Sequence, residues 1–410
     1  MNKDKVLAII DVGMMEYGGH HAGFAEYIAS TGKGYNGFIN IYCSQYIDKR
    51  LQRRLESEDI AVKPVFKTEP YIYFGKPVGL KEEHSYISEL AREYELILQE
   101  LQQLTEQDNE VVCFYPSLNW DHANALAVAL IKNESISLKQ LACAMFNPGI
   151  GYDGRITNAR RLIKFRHAFS LLYKTGVSIY SSDYELAWQY QRVMQTEQLV
   201  PIHPCYLTDW QKLGVVKPQG HRQKRVLLYI GDAKTNKGFA ELPQIVQRLL
   251  KEKIAGVEYI VQFTRAWDDP DILPTIEWLQ HKALETQELI VIEQFLSDDE
   301  LRNLLATVDI AVFNYDRQEY QNKSSGILWL LAWYSIAIIT LQTSWISREA
   351  QRLGVTVSNI RKEEIVSGLS LLIDNPCEAI SERANYSNDN EILNYKNLLY
   401  QSFWSWLVEQ

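Results

Sequence analysis

The feature that most constrains this chain is a rhythm of short, almost uninterrupted apolar runs separated by longer stretches of helical period, and the rhythm occurs twice. In the first half the runs are VLAIIDV (6–12), GFINIYCS (37–44), EVVCFYP (110–116) and LACAMFN (141–147). Runs of this length without polar alternation fit strands covered on both faces, the situation in parallel sheets. Between them lie HAGFAEYIAS (21–30), EHSYISELAREYELILQELQQL (83–104) and WDHANALAVALIK (120–132), which read as helices. Strand–helix alternation predicts an α/β fold with a parallel sheet. It restarts with RVLLYIGD (225–232), VEYIVQF (257–263), LIVIEQF (289–295) and DIAVFNY (309–315), again with helical segments between. The connection 201–225 holds three prolines, two glycines and a terminal basic cluster, the composition of a link between domains. We therefore expect a first domain over 1–208, a linker over 209–224 and a second domain over 225–388. A last helix over 389–410 carries Phe403, Trp404 and Trp406. That much aromatic area is expected to pack back on the first domain.

One segment tests this reading. Ser324 to Ser347 has 24 residues without a charge, and a membrane-spanning helix needs about 20. Its front half favours a helix over Gly326–Trp333, whereas the β-branched IAIIT (336–340) follows a Tyr-Ser break as a buried strand would. A helix followed by a strand is expected. Composition agrees with a folded chain, since 46% of the 410 residues are hydrophobic and 23% charged. The formal charge of -9 repels nucleic acid, so none is expected as a partner. Cys43, Cys113, Cys143, Cys205 and Cys377 are odd in number, far apart and never in a Cys-x-x-Cys pair. That argues against a disulfide framework or structural zinc and for a reducing, cytoplasmic setting. The apolar run ahead of Asp11 is too short for the core of a secretory signal.

The most informative motif opens the second domain, where strand RVLLYI leads into Gly231-Asp-Ala-Lys-Thr-Asn-Lys237-Gly238 and then a helix. Such a loop presents backbone N–H groups and the positive end of a helix dipole, which suits a phosphate, and Lys237 adds a point charge. It is not a Walker loop, because lysine precedes glycine. After DIAVFNY come Glu319, Tyr320 and then Ser324, Ser325 and Gly326 at a helix start, where hydroxyls and amides again converge on an anion.

From Arg225 to Thr340 the chain resembles the C-terminal domain of GT-B glycosyltransferases of the family 4 type. The resemblance rests on the strand-Gly-x5-Lys-Gly loop, the Phe-x-Ser-Asp-Asp-Glu-Leu helix start (Phe295–Leu301) and the acidic-then-SSG loop before a helix and a short apolar strand. It implies two doubly wound, Rossmann-like α/β domains facing each other across a cleft, with a nucleotide-sugar held mainly by the second. Lys237 would then contact the donor diphosphate, Glu319 would match the first glutamate of a Glu-x7-Glu motif that holds the transferred sugar, and Ser324–Gly326 would form the diphosphate loop between them. Ile327 or Leu330 stands where the second glutamate is usual, and Asp232 where an arginine commonly follows the loop glycine. Lys234 or Arg265 would have to supply the missing positive charge.

In the first half, Gly18 and Gly19 follow the first strand and match a glycine-rich loop that approaches donor and acceptor in such enzymes, with His20 and His21 on the acceptor side. Adjacent histidines do not form a zinc pair. Asp121 and His122 follow EVVCFYP at the strand's carboxyl end, where they could orient an acceptor hydroxyl or simply cap a helix. Gly149-Ile-Gly151-Tyr-Asp-Gly154 fits a dinucleotide fingerprint literally, but it is not at a first strand and lacks the acid about 20 residues on. A loop lining the acceptor side is the better reading. Asp269-Pro-Asp271 has the form of a metal-binding pair, yet its proline favours a turn, and no metal and no cofactor are expected. Arg160, Arg161, Lys164, Arg166 and His167, interleaved with Leu162, Ile163, Phe165 and Phe169, form a basic amphipathic stretch. It reads as a solvated helix face or as a peripheral contact with an anionic membrane on its inner face. The function expected is a metal-independent, retaining hexosyltransferase acting on a saccharide or lipid-linked acceptor. The alternative is a catalytically inert GT-B subunit that binds or assembles.

Overall fold

The computed structural model describes residues 4–17, 19–72, 79–133, 138–214, 223–265, 270–374 and 389–410, without the side chains of Asp298, Asp374 and Asp389. The chain divides into two units, one of Met1–Lys212 with Leu398–Gln410 and one of Leu213–Asn397.

The first unit contains strands β1 (Lys5–Asp11), β2 (Phe38–Ser44), β3 (Ala61–Phe66), β4 (Glu110–Leu118), β5 (Lys139–Ala144) and β6 (Ser178–Ser181). They pair in parallel in the order β3-β2-β1-β4-β5-β6. Alternate residues of β1 point to opposite faces, which is why an uninterrupted apolar run is required. Val6, Ala8 and Ile10 join a core with helices Leu80–Glu106, Trp120–Lys132, Ala159–Lys174 and Tyr184–Met194. Leu7 and Ile9 join another with helices Gly19–Thr31 and Lys49–Glu56. That second core also takes in the C-terminal helix Phe403–Glu409: the Phe403 ring lies 5.1 Å from Phe114 and Trp406 lies 5.0 Å from Tyr180. Trp404 Nε1 donates to Thr31 Oγ1 at 2.8 Å.

The second unit repeats the plan. Strands β7 (Lys224–Tyr229), β8 (Val257–Phe263), β9 (Leu289–Glu293), β10 (Ile310–Phe313), β11 (Ala337–Thr340) and β12 (Val357–Asn359) run parallel in the order β12-β11-β10-β7-β8-β9. Read from the other edge, this is the same order as in the first unit, so both sheets are doubly wound. The uncharged segment folds as helix Gly326–Trp333 followed by β11. Among the described residues no helix is long and apolar enough to cross a membrane.

Three strands that the apolar runs do not mark, β3, β6 and β12, all lie at sheet edges. Edge strands need neither length nor burial on both faces, and Pro64 sits within β3, where its missing N–H costs no central ladder bond.

Candidate functional site

Doubly wound sheets bind ligands outside the carboxyl ends of the strands, where the winding reverses. Here those points are β1/β4 and β7/β10, and most of the candidate residues flank one or the other.

At the β7/β10 point the loop after β7 turns on Gly231, whose φ of 107° is open to glycine and strained for other residues. Its N–H donates to Gln262 Oε1 at 3.0 Å and its carbonyl accepts from Thr264 N at 3.2 Å. A single 3-10 turn, Thr235–Lys237, ends at Gly238 with φ 76°. A side chain at 238 would place its Cβ 1.9 Å from the Asn314 carbonyl oxygen, so this glycine lets the loops after β7 and β10 meet backbone to backbone. Asp316 N donates to Asn236 O at 2.8 Å, and Asn236 Nδ2 donates to Glu319 Oε2 at 2.8 Å. Glu319 N in turn donates to Asp316 Oδ1 at 2.9 Å. Asn236 thus ties Glu319 to the loop that carries Lys237.

Lys237 is half-buried, and among the described residues it forms no ion pair. Its Nζ lies 6.0 Å from the centre of the Tyr315 ring, beside a small pocket that Tyr229 and Asn314 also line. Burial lowers its ammonium pKa, Asp232 opposes that, and Lys234 and Lys323 reinforce it. The other cations are engaged. Lys234 pairs with Asp232 at 3.2 Å and Arg265 with Glu293 at 2.5 Å. Lys323 lies 3.7 Å from Glu319 and over the Tyr320 ring. Tyr320 is buried, 4.4 Å from Tyr315 between ring centres. Ser324, Ser325 and Gly326 are half-buried, and Ser325 stands at the N-cap without capping the helix, bonding Tyr315 instead. Burial pushes the Tyr315 hydroxyl up to about 12, with that bond a partial offset.

At the β1/β4 point the groups lie deeper. Asp11, at the end of β1, is buried and accepts from Gly13 N at 3.0 Å. His21 Nδ1 lies 2.8 Å from Asp11 Oδ2, and His21 Nε2 lies 3.2 Å from the Tyr71 hydroxyl. With the proton on Nδ1, the imidazole donates to the carboxylate and accepts from the phenol. Burial opposes Asp11's charge most, but His21, His20 and the Gly13 N–H together outweigh it and the carboxyl stays below its ordinary value. A side chain at Gly13 would collide with the His21 ring, 2.3 Å from its Cε1. Tyr71 holds φ 62°, a strained conformation for a bulky residue, with its ring 5.1 Å from His122. His20 is exposed, its ring centre 3.9 Å from that of His21 and tilted from it by 37°.

Asp121 and His122 are both buried on the first turn of helix Trp120–Lys132. Asp121 Oδ1 accepts from His122 N at 2.9 Å. Burial drives the His122 imidazole toward its neutral form, against the pull of Asp121 and Asp11. Among the described residues neither ring nitrogen of His122 and neither side-chain polar atom of Asn119 has a hydrogen-bond partner, although His122 Nε2 lies 4.0 Å from Asp121 Oδ1. Gly19 begins the first helix with φ 74°, while Gly18 lies outside the described residues, as do Asp269 and Cys377. Among the described residues no cluster of three or more His, Cys, Asp or Glu could hold a metal ion. In the Gly149–Gly154 loop, Gly149 and Gly154 take φ of 90° and 83° to close a small loop through an Ile150–Ile156 bridge. Their role there is local turning.

The structure thus bonds His21 to Asp11 and ties Glu319, through Asn236, to the loop of Lys237, and it leaves Arg265 and Lys234 in pairs of their own. Asp11, Tyr71, Asn236 and Tyr315 belong to these sites and were not among the sequence candidates. The acid that closes the first strand was an available signal; for Asn236, whose amide meets Glu319 only through the fold, and for Tyr71 there was none.

No protein-family model and no curated protein matches this chain in sequence. Solved structures do match in shape. A glycosyltransferase from Rickettsia africae ESF-5 superposes with a TM-score of 0.59 at 11% identity, covering 98% of this chain and 100% of that one. An alpha,alpha-trehalose-phosphate synthase (UDP-forming) from Burkholderia xenovorans, in complex with glucose-6-phosphate, gives 0.58 at 11% identity, covering 98% and 99%. HepE of Anabaena, in complex with UDP and glucose, gives 0.53 at 12% identity, covering 99% of each chain. These likenesses show the fold, two Rossmann-like α/β domains of the GT-B type.

Proposed function

We propose that this chain is a glycosyltransferase that moves a sugar from a nucleotide-sugar donor, held by the second unit, to a saccharide or lipid-linked acceptor. The observation that carries the reading is Lys237, a half-buried cation without an ion pair among the described residues, on a loop that Asn236 ties to Glu319. A partly desolvated ammonium gains most from an anion that displaces its remaining water. A donor diphosphate would supply that charge. As the bond from the anomeric carbon to the diphosphate oxygen breaks, its electron pair stays with the diphosphate and the sugar turns cationic. Lys237 therefore favours the transition state over the bound donor. Glu319, with Oε2 held by Asn236, keeps Oε1 for a sugar hydroxyl. Ser324, Ser325 and the amide of Gly326 face the same anion from the following helix. His20, His21, Asp121 and His122 would serve the acceptor side.

Of the structures alike in fold, one holds UDP and another is a UDP-forming enzyme, which makes uridine nucleotides the first donors to try. Retention of configuration and independence of metal follow the family 4 resemblance. A reducing, cytoplasmic setting is supported by the buried, unpaired Cys43, Cys113, Cys143 and Cys205.

A second reading, an inert subunit of the same fold, is favoured by Ile327 and Leu330 on an apolar helix where a second glutamate would be expected. A panel of sugar nucleotides separates the two, read by thermal shift and by release of nucleoside diphosphate with mixed acceptors. A transferase is stabilised by about 2.7 kcal/mol when the donor stands at ~100 times its dissociation constant. Glu319→Gln should keep that shift while turnover falls about a hundredfold. Wild-type turnover in Glu319→Gln would remove the donor-site assignment, and the absence of any shift with the wild type would leave the inert subunit.

A further inference from the structure

The basic stretch of the first unit has no part in either site. From Gly154 to Ser182 the chain has no Asp or Glu but carries Arg155, Arg160, Arg161, Lys164, Arg166 and Lys174, within a protein of formal charge -9. Helix Ala159–Lys174 buries Leu162, Phe165, Phe169 and Leu172, so its inward face is settled by the core.

Two of the cations turn inward. Arg161 Nε donates to the Asn147 carbonyl at 2.6 Å, and Lys164 pairs with Glu83 and lies 4.1 Å from the centre of the Trp120 ring. The outward face keeps Arg160, Arg166, His167 and Lys174, all exposed, with Ile163 among them at 69% exposure. The loop leading into the helix adds Ile156 at 61%. That loop is fixed: Gly151 N donates to Arg155 O at 2.8 Å, and Asn158 Oδ1 caps the helix at Arg161 N, 3.0 Å. Folding does not explain why two isoleucines stand in water among cations on an otherwise acidic molecule.

We propose that this face docks on the anionic surface of a lipid bilayer. Arg160, Arg166 and Lys174 meet the phosphates while Ile156 and Ile163 enter the headgroup layer. Charge complementarity selects an anionic bilayer over a neutral one, from which these cations would gain little. Long cationic side chains can hold their charge at the phosphates while their stems follow the isoleucines inward.

The test is co-flotation of the full chain with vesicles of phosphatidylcholine alone or with about one-third phosphatidylglycerol, at low salt and at ~1 M salt, where screening acts within about 3 Å. Binding is expected only to the anionic vesicles at low salt. At about fivefold for each cation, the triple change Arg160→Gln, Arg166→Gln, Lys174→Gln should weaken it on the order of a hundredfold. Ile156→Ser with Ile163→Ser should weaken it about tenfold without altering charge. All five positions are exposed, so the melting profile should change little, and Arg166→Gln with Lys174→Gln, expected to weaken binding about 25-fold, repeats the test with Arg160 in place. Equal binding to both vesicle types, or none to either, overturns the proposal. So does wild-type binding by either variant, or binding that dextran sulfate shows and anionic vesicles do not. None of these outcomes depends on a nucleotide-sugar, so the proposal stands or falls apart from the transferase reading.

Discussion

In the first unit buried Asp11, half-buried His21 and half-buried Tyr71 are bonded in a row, with His122 buried beside them. In the second unit Lys237 stands half-buried with no carboxylate paired to it among the described residues, and Glu319, tied to its loop through Asn236, is exposed. The strand order beneath the two sites is the same. The difference therefore comes from the loops, and it teaches that the sheet fixes where a ligand meets the chain while the loop residues fix which charge it must have. The first site already pairs its carboxylate with a histidine that a phenol meets on the other side, whereas the second carries a cation with no paired carboxylate among the described residues, which is why an anion is proposed for it.

The largest expected effect tests whether the units are energetically separate. Trp406→Ala removes a ring packed among Phe114, Tyr180 and Phe403. It should cost the first unit about 3–5 kcal/mol, seen in calorimetry as a fall in one transition while the other stays. A matched fall in both would erase the comparison.

Acid should do the same in a graded way. Burial lowers the His203 imidazole to about 4, whereas in the unfolded chain it protonates near 6.5. Between those values the unfolded state binds more protons, so stability falls as pH falls, by ~3 kcal/mol on reaching pH 4. His122 is pushed in the same direction. The first unit should therefore be the one to unfold in mild acid, and His203→Gln should flatten its pH profile. Greater acid loss in the second unit would contradict the division.

How far these features were legible in the sequence follows from the same physics. Central strands such as β1 and β10 must be apolar on both faces, so they stand out; edge strands such as β3, with Lys63 and Pro64, carry no such requirement. Lys237 and Glu319 were readable because glycines and a strand end mark their loops. Asn236 was not, because its amide matters only once two loops far apart in sequence meet. Tyr71 was hidden for another reason: nothing in a tyrosine announces a left-handed backbone, which only its surroundings can impose.

Gly238→Ala sharpens the contrast at a smaller scale. It forces a side chain onto the Asn314 carbonyl at a positive φ, at a cost of about 1–3 kcal/mol. Nucleoside diphosphate affinity should fall as the two loops separate, with the first unit's melting unchanged. Smallest of all, Tyr71→Phe leaves His21 Nε2 without its phenol and should cost about 1 kcal/mol in the first unit alone. An effect on nucleotide affinity there would mean the two sites are not independent.

The central claim is that the second site, and not the first, is the anion site. Its most direct test is calorimetric titration of a nucleoside diphosphate into the wild type, Lys237→Ala and His21→Ala. The account predicts that Lys237→Ala weakens binding tenfold or more, the loss of one charge-assisted contact of about 1.5–3 kcal/mol, while His21→Ala binds as the wild type does. It also predicts that wild-type affinity declines as pH rises through the lowered pKa of Lys237. Undiminished binding by Lys237→Ala, with binding lost in His21→Ala, would contradict it.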